Sequence, residues 1–194
     1  MSDTCEFFNI RDEYKSLPLE EVKNIQKRDS LPYSIALLNF SGSLNVGMCI
    51  RTAVIFGASR VYVIGKKRYD RRSTVGAHNY VDVKFIEKDP DDSPAEILDV
   101  IGQDYNPLFV EQGGVDISFQ TYGNWMNPMC FIFGCEGRGI SDKFINAAFQ
   151  PNERPRDRIV SIPQIGVLRS LNVAAVCAIV CHKVAGDMLP ISTL

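Results

Sequence analysis

Short apolar-rich runs, separated by segments that carry helix signals, recur from Tyr33 onward, and this alternation limits the possible folds more than any other feature. Ser34 to Phe40, Arg60 to Ile64, Val81 to Ile86, Leu108 to Glu111, Met129 to Phe133 and Arg158 to Ile162 read as strands. Val46 to Phe56 reads as a helix closed by Gly57 at the C′ position. Ser93-Pro94-Ala95-Glu96 joins an N-cap serine, a first-turn proline and a capping-box glutamate ahead of Ile97 to Ile101. Ser141 can cap a helix running through Phe149, and a last helix is expected to begin at Ser170. Short continuous apolar strands alternating with helices predict an α/β fold, a mostly parallel sheet with helices on both faces. The polar stretch Gly113 to Asn127 reads as a loop.

A length of 194 residues fits one compact domain. Residues 1–30 are charged and carry one weak helical signal, Pro18 to Ile25, so they read as an N-terminal appendage to a domain spanning 31–194. With 45% apolar and 23% charged residues, the composition excludes a disordered or collagen-like chain. The formal net charge of −2 rules out a global cationic field, so any nucleic-acid contact must be local and no DNA partner is expected.

Six cysteines in a chain that opens Met1-Ser2-Asp3-Thr4-Cys5-Glu6, without a basic then apolar leader, predict an intracellular protein, cytoplasmic or nuclear, that is not secreted. The longest apolar run, Val173 to Cys181, is far shorter than the ~18 residues of a membrane span. Cys177 and Cys181 lie beside His182 without a second ligand pair at metal spacing, so core packing is expected and no metal. A helix apolar all round over Val173 to Cys181 is either central to the core or also packs on a partner subunit. The second case implies a dimer.

Three segments place glycines and small polar residues where a strand end meets a helix start, the position at which open parallel sheets hold ligands. They are Asn39 to Ala53, Phe133 to Ser141 and Ile162 to Val173. In the second, Gly134, Gly137 and Gly139 give G-x-x-G-x-G, which is neither the dinucleotide fingerprint nor a Walker loop. Taken together and in order, the three resemble the motifs of the SpoU/TrmH family of RNA ribose 2′-O-methyltransferases, a branch of the SPOUT methyltransferases. The matching residues are Asn45, Gly47, Arg51, Ala53, Phe56 and Gly57, then Gly134, Glu136 and Gly139, then Ile162, Pro163, Gly166, Ser170, Leu171, Asn172 and Val173. The third motif carries Gln164 and Arg169 where many members have Met and an acidic residue. This variant looks like the eukaryotic enzymes that methylate a guanosine ribose in tRNA.

The resemblance implies a C-terminal deep trefoil knot, S-adenosyl-L-methionine as cofactor, RNA as substrate with tRNA favoured over rRNA, and a homodimer. It also implies that Val110, Gly134, Ile162, Ser170 and Leu171 line the cofactor pocket, and that Arg51, Asn45, Glu136 and Asn172 form the catalytic set. A guanidinium keeps its proton far above neutral pH and is a poor base, so Arg51 suits orienting a phosphate or stabilising a forming alkoxide. Structural roles stand beside these. Ser170 suits an N-cap, Arg51 a surface salt bridge, Asn45 a cap, and Glu136 the ordering of a loop. Lys66, Lys67, Arg68, Arg71 and Arg72 crowd around Tyr69 and are expected to touch RNA, with Arg154, Arg156 and Arg158 as a weaker second group. His78 sits in a polar loop that fits either substrate contact or plain exposure. The competing reading is a non-catalytic RNA-binding subunit with the same fold.

Overall fold

A computed structural model of the chain describes residues 9–65, 68–122, 128–149 and 158–189. Strands β1 (Leu31–Leu38), β2 (Ala58–Ile64), β3 (Asp82–Ile86), β4 (Asn106–Asp116), β5 (Met129–Phe133) and β6 (Ile159–Ser161) form one sheet in the order β3-β2-β1-β5-β4-β6. Every pairing is parallel. The helices are α1 (Leu19–Arg28), α2 (Ser43–Ile55), α3 (Pro94–Gly102), α4 (Asp142–Asn146) and α5 (Val173–Met188).

Successive side chains of a strand point to opposite faces, and both faces here are covered. Tyr33, Ile35 and Leu37 of β1 pack with Val46, Cys49, Ile50 and Ala53 of α2 and with Cys177, Val180 and Val184 of α5. Ala36 and Leu38 pack the other way, with Ile97 and Ile101 of α3 and Phe144 of α4. The helices on both faces explain why the strands read as continuous apolar runs. Register then positions the site. Leu37 pairs with Phe133, and Phe133 with Val110, so β1 and β5 end level with Val110 of β4 at the carboxyl end of the sheet.

Several expected boundaries move, each for a local reason. α5 begins at Val173 and is capped by Asn172, whose Oδ1 accepts the Ala174 N–H at 2.9 Å, so Ser170 is not its N-cap. Residues 163–172 instead run exposed ahead of the helix. Ser93 precedes α3, but its hydroxyl makes no cap bond and Glu96 pairs with Lys88 rather than closing a capping box. Ser141 does cap α4, accepting the Phe144 N–H at 3.2 Å, though the helix ends at Asn146.

The expected loop from Gly113 is in its first part strand. β4 runs to Asp116 with a bulge, both Val110 and Val115 pairing with Val160, and Gly113 takes φ +80 there. Gly114 allows the approach of β6, because a Cβ would lie 2.3 Å from the Ile159 carbonyl oxygen. Ahead of the sheet, α1 buries Val22, and Gln26 donates to the Val54 carbonyl at 3.3 Å. Among the described residues no helix is long and apolar enough to cross a membrane.

Candidate active site

The three motif segments meet at the sheet edge. Val110, Gly134, Ile162, Ser170 and Leu171 all line one cavity of about 500 Å³, and Glu136 and Asn172 line it too. The cavity is walled by the strand ends, the 134–140 turn and the exposed 163–172 segment. Gln112 donates to the Arg169 carbonyl at 2.7 Å, and Arg169 donates to the Gly137 carbonyl at 3.4 Å, so the three walls are tied together.

Glycine is required where the turn folds against its own strand end. A Cβ on Gly134 would lie 2.2 Å from the Gly139 carbonyl carbon, a contact with backbone that cannot rotate away. Glu111, which sequence reasoning did not single out, holds the far side of that turn. Its carboxylate accepts the Ile140 N–H at 3.0 Å and the Gln112 N–H at 2.9 Å, and it sits 2.4 Å from where a Cβ on Gly139 would be. Its position directly after Val110, at the end of the strand expected from the sequence, was the available signal.

A hydrogen-bonded chain links residues remote in sequence. Ser41 donates its N–H at 3.2 Å and its hydroxyl at 3.1 Å to Glu136 Oε2, while Asn45 Nδ2 donates to Oε1 at 2.5 Å. Asn172 Nδ2 in turn donates to Asn45 Oδ1 at 3.4 Å. Burial raises the Glu136 pKa, but the bonds from Asn45 and Ser41 outweigh it and hold the carboxyl below its usual 4.5. Because the folded pKa is the lower one, this stabilisation is present above about pH 4.5 and is lost as pH falls through the folded value. Glu136→Gln is therefore expected to flatten the acid limb of the melting-temperature profile below about pH 4.5, and a profile identical to that of the unaltered chain would refute the linkage.

Arg51 stands apart. It is half-buried on α2, lines no described cavity, and has no hydrogen-bond or ion-pair partner among the described residues. The i, i+3, i+4 spacing puts it on one face with Leu44, Met48 and Ile55, which are 74%, 54% and 71% exposed. Gly47, one turn earlier, lies against Ser73, where a Cβ would approach the backbone oxygen to 2.3 Å.

Of the basic run, Lys66 and Lys67 lie outside the described residues, as do Arg154 and Arg156. Arg68 is exposed, with its guanidinium 4.7 Å from the Phe85 ring centroid, and Arg71 is exposed. Arg72 is engaged by Asp70, its side chain donating at 3.1, 2.9 and 2.7 Å and its backbone N–H at 2.9 Å. His78 is half-buried, its Nδ1 bonded to the Thr74 hydroxyl at 2.6 Å, and burial followed by the charge of Arg71 lowers its pKa. The strained left-handed φ of +49 at Val75 shapes that bend. Cys177 and Cys181 are buried in the core with their sulfurs 3.9 Å apart.

Residues 32–182 match the family described as SpoU rRNA Methylase. The chain belongs to this SpoU family. A relative from Archaeoglobus fulgidus, named as an uncharacterized tRNA/rRNA methyltransferase, is 27% identical over 153 residues, covering 76% of this chain and 61% of its own length. The chain thus spans about three fifths of the length of that curated relative. Among solved structures, the Aquifex aeolicus TrmH/SpoU tRNA modifying enzyme superposes with a TM-score of 0.67 at 18% identity, over 87% of this chain and 81% of that one. An AdoMet-bound rRNA methyltransferase from Sinorhizobium meliloti gives 0.65 at 22% identity, over 84% and 61%. These likenesses show that the sheet and its helices have the SpoU/TrmH arrangement.

Proposed function

We propose that this chain transfers a methyl group from S-adenosyl-L-methionine to a ribose 2′-hydroxyl in RNA, with tRNA the favoured acceptor. The observation that carries the reading is the Ser41–Glu136–Asn45–Asn172 chain of hydrogen bonds, which joins one residue set from each motif beside the cavity lined by Val110, Gly134, Ile162, Ser170 and Leu171. Residues 31–194 form the methyltransferase unit in this reading, with 1–30 preceding it and the C-terminal segment threaded as a knot.

The cavity suits the cofactor on its own chemistry. Phe133, Ile162, Leu171 and Val176 supply apolar surface, while Gln112, Glu136 and Ser170 supply polar groups. When bound, S-adenosyl-L-methionine supplies a methyl carbon activated by positive sulfur, the carbon–sulfur pair returning to sulfur as the oxygen–carbon bond forms. The chain's own residues position the partners, which is much of catalysis for such a displacement. Glu136, held ionised by the donors on Ser41 and Asn45, is a poor base and serves to fix those two residues. Arg51 stabilises the developing alkoxide or orients a neighbouring phosphate, and the hydroxyl proton leaves to solvent. Arg68 and Arg71, with Lys66 and Lys67, steer the RNA.

Labelled S-adenosyl-L-methionine incubated with the protein and total RNA, followed by nuclease digestion, is expected to place label on ribose. Label on a base refutes the reaction type. A non-catalytic RNA-binding subunit is the second reading, favoured by the position of Arg51 away from the cavity. No transfer to any RNA fraction would establish it.

The exposed face of Leu44, Met48 and Ile55, together with Ile165 and Val167 fully exposed in the 163–172 segment, supports a homodimer. Met48→Glu is expected to shift the protein from dimer to monomer in sedimentation, with little change in monomer folding. A Met48→Glu protein that sediments as the unaltered one would remove α2 from the interface.

A further inference from the structure

A second cavity, of about 450 Å³, opens at the carboxyl ends of β1 and β2. Only a thin wall separates it from the first, because Ser41 lines the second cavity, Glu136 lines the first, and the two residues are hydrogen-bonded to each other. Arg138 lines both. It stands at the tip of a turn between Gly137 at φ +92 and Gly139 at φ +67, and the Gly139 N–H closes that turn onto the Cys135 carbonyl at 3.0 Å.

The lining has a consistent chemistry. Val46, Val63 and Ile64 supply apolar surface, Phe40 and Tyr69 supply aromatic rings, and Arg68 and Arg138 supply cations, while no carboxylate lines the cavity among the described residues. Arg68 is available to a ligand, being 72% exposed with a long 3.7 Å ion pair to Glu87. Aromatic and apolar walls beside guanidinium groups fit a flat heterocycle carrying phosphate. The volume lies in the lower part of the ~300–1,000 Å³ range of small-ligand pockets, enough for one nucleotide and too little for a base-paired step.

We propose that this second cavity seats one unstacked RNA nucleotide next to the one being modified, its base against Phe40 and Tyr69 and its flanking phosphates on Arg68 and Arg138. The word modified rests on the methyl-transfer reading; the nucleotide seat does not. Entry requires the base to leave any stack, so single-stranded or splayed-out positions are the substrates. Arg138 touches both cavities and so couples occupancy of one to the other.

The full chain, mixed with fragmented total RNA and irradiated with short-wave ultraviolet light, is expected to carry nucleotide adducts on Phe40 or Tyr69 by peptide mass spectrometry. Arg68→Ala and Arg138→Ala, both at exposed positions, are each expected to cut adduct yield about tenfold, as loss of a charge-assisted phosphate contact does. Arg68→Ala should leave the cofactor Kd unchanged by calorimetry. Adducts confined to other surfaces, or yields indifferent to both variants, overturn the proposal. If label reaches ribose while adducts lie elsewhere, the nucleotide seat falls and methyl transfer stands. If adducts map to Phe40 or Tyr69 and no RNA is methylated, the seat stands and methyl transfer falls.

Discussion

Gly134→Ala is expected to weaken S-adenosyl-L-methionine binding about 100-fold or more while the protein still folds. The added carbon would lie 2.2 Å from the Gly139 carbonyl carbon, 2.5 Å from its oxygen and 2.6 Å from the Ile140 nitrogen. All three are backbone atoms, so no rotamer relieves the clash and the 136–140 turn must shift by an ångström or more. A displacement of about 1 Å in a positioning element commonly costs on the order of 10²-fold. Overpacking costs about 1–3 kcal/mol, which lowers the melting temperature of the variant without abolishing the fold. Gly102→Ala is the control, because nothing lies within 4 Å of the added carbon and no positive φ is involved, and it is expected to stabilise by about 0.4–1 kcal/mol. Calorimetric Kd values for Gly134→Ala within about threefold of the unaltered chain would dissociate the turn from the cofactor cavity.

Arg51→Ala is expected to lower methyl transfer by about 10²–10³-fold, the cost of removing one donor aimed at developing negative charge. Cofactor Kd and melting temperature should change little, because Arg51 lines no cavity and has no partner among the described residues. Arg51→Lys keeps the charge and loses the planar fork, so intermediate activity is expected. The apolar neighbours Leu44, Met48 and Ile55 place Arg51 on the face that a second copy would cover, so it would act on the neighbouring subunit. Co-expression supplies a direct check. Mixed dimers of Arg51→Ala with Gly134→Ala then contain one complete site and regain activity that neither variant has alone. Failure to regain it assigns Arg51 to its own subunit's site, and full activity of Arg51→Ala removes Arg51 from the chemistry.

The sheet was legible in the sequence because its strands are buried on both faces. Met129 to Phe133, bounded by Pro128 and Gly134, matches β5 residue for residue. β4 was cut short because Gly113 and Gly114 imitate a turn, whereas here they form a bulge that lets β6 approach. The start of α5 was misplaced for a chemical reason. Serine and asparagine are comparable N-caps by type, and only the path of the chain, which keeps 163–171 out of the helix and brings Arg169, Ser170 and Leu171 to the cavity wall, selects Asn172 over Ser170.

The grouping of Val110, Gly134, Ile162, Ser170 and Leu171 was legible through the resemblance, and these five line one cavity. Glu111 was not, because a carboxylate within a strand is unremarkable until the Ile140 N–H is seen to bond to it. The outward placement of Arg51 was hidden as well, since a helix that is apolar nearly all round gives no period from which to read its core side. Tyr69 was visible as a stacking candidate, whereas the cavity it shares with Phe40 and Arg138 depends on contacts between distant strand ends.

Cys49, Cys130, Cys177 and Cys181 are buried, while Cys135 is half-buried and borders the cavity of Gly134. In a Cys5→Ser background this leaves a single accessible thiol among the described residues. A maleimide dye would therefore attach at the mouth of the cavity, and the slowing of its attachment by a bound small molecule would report occupancy in real time, without isotope or RNA.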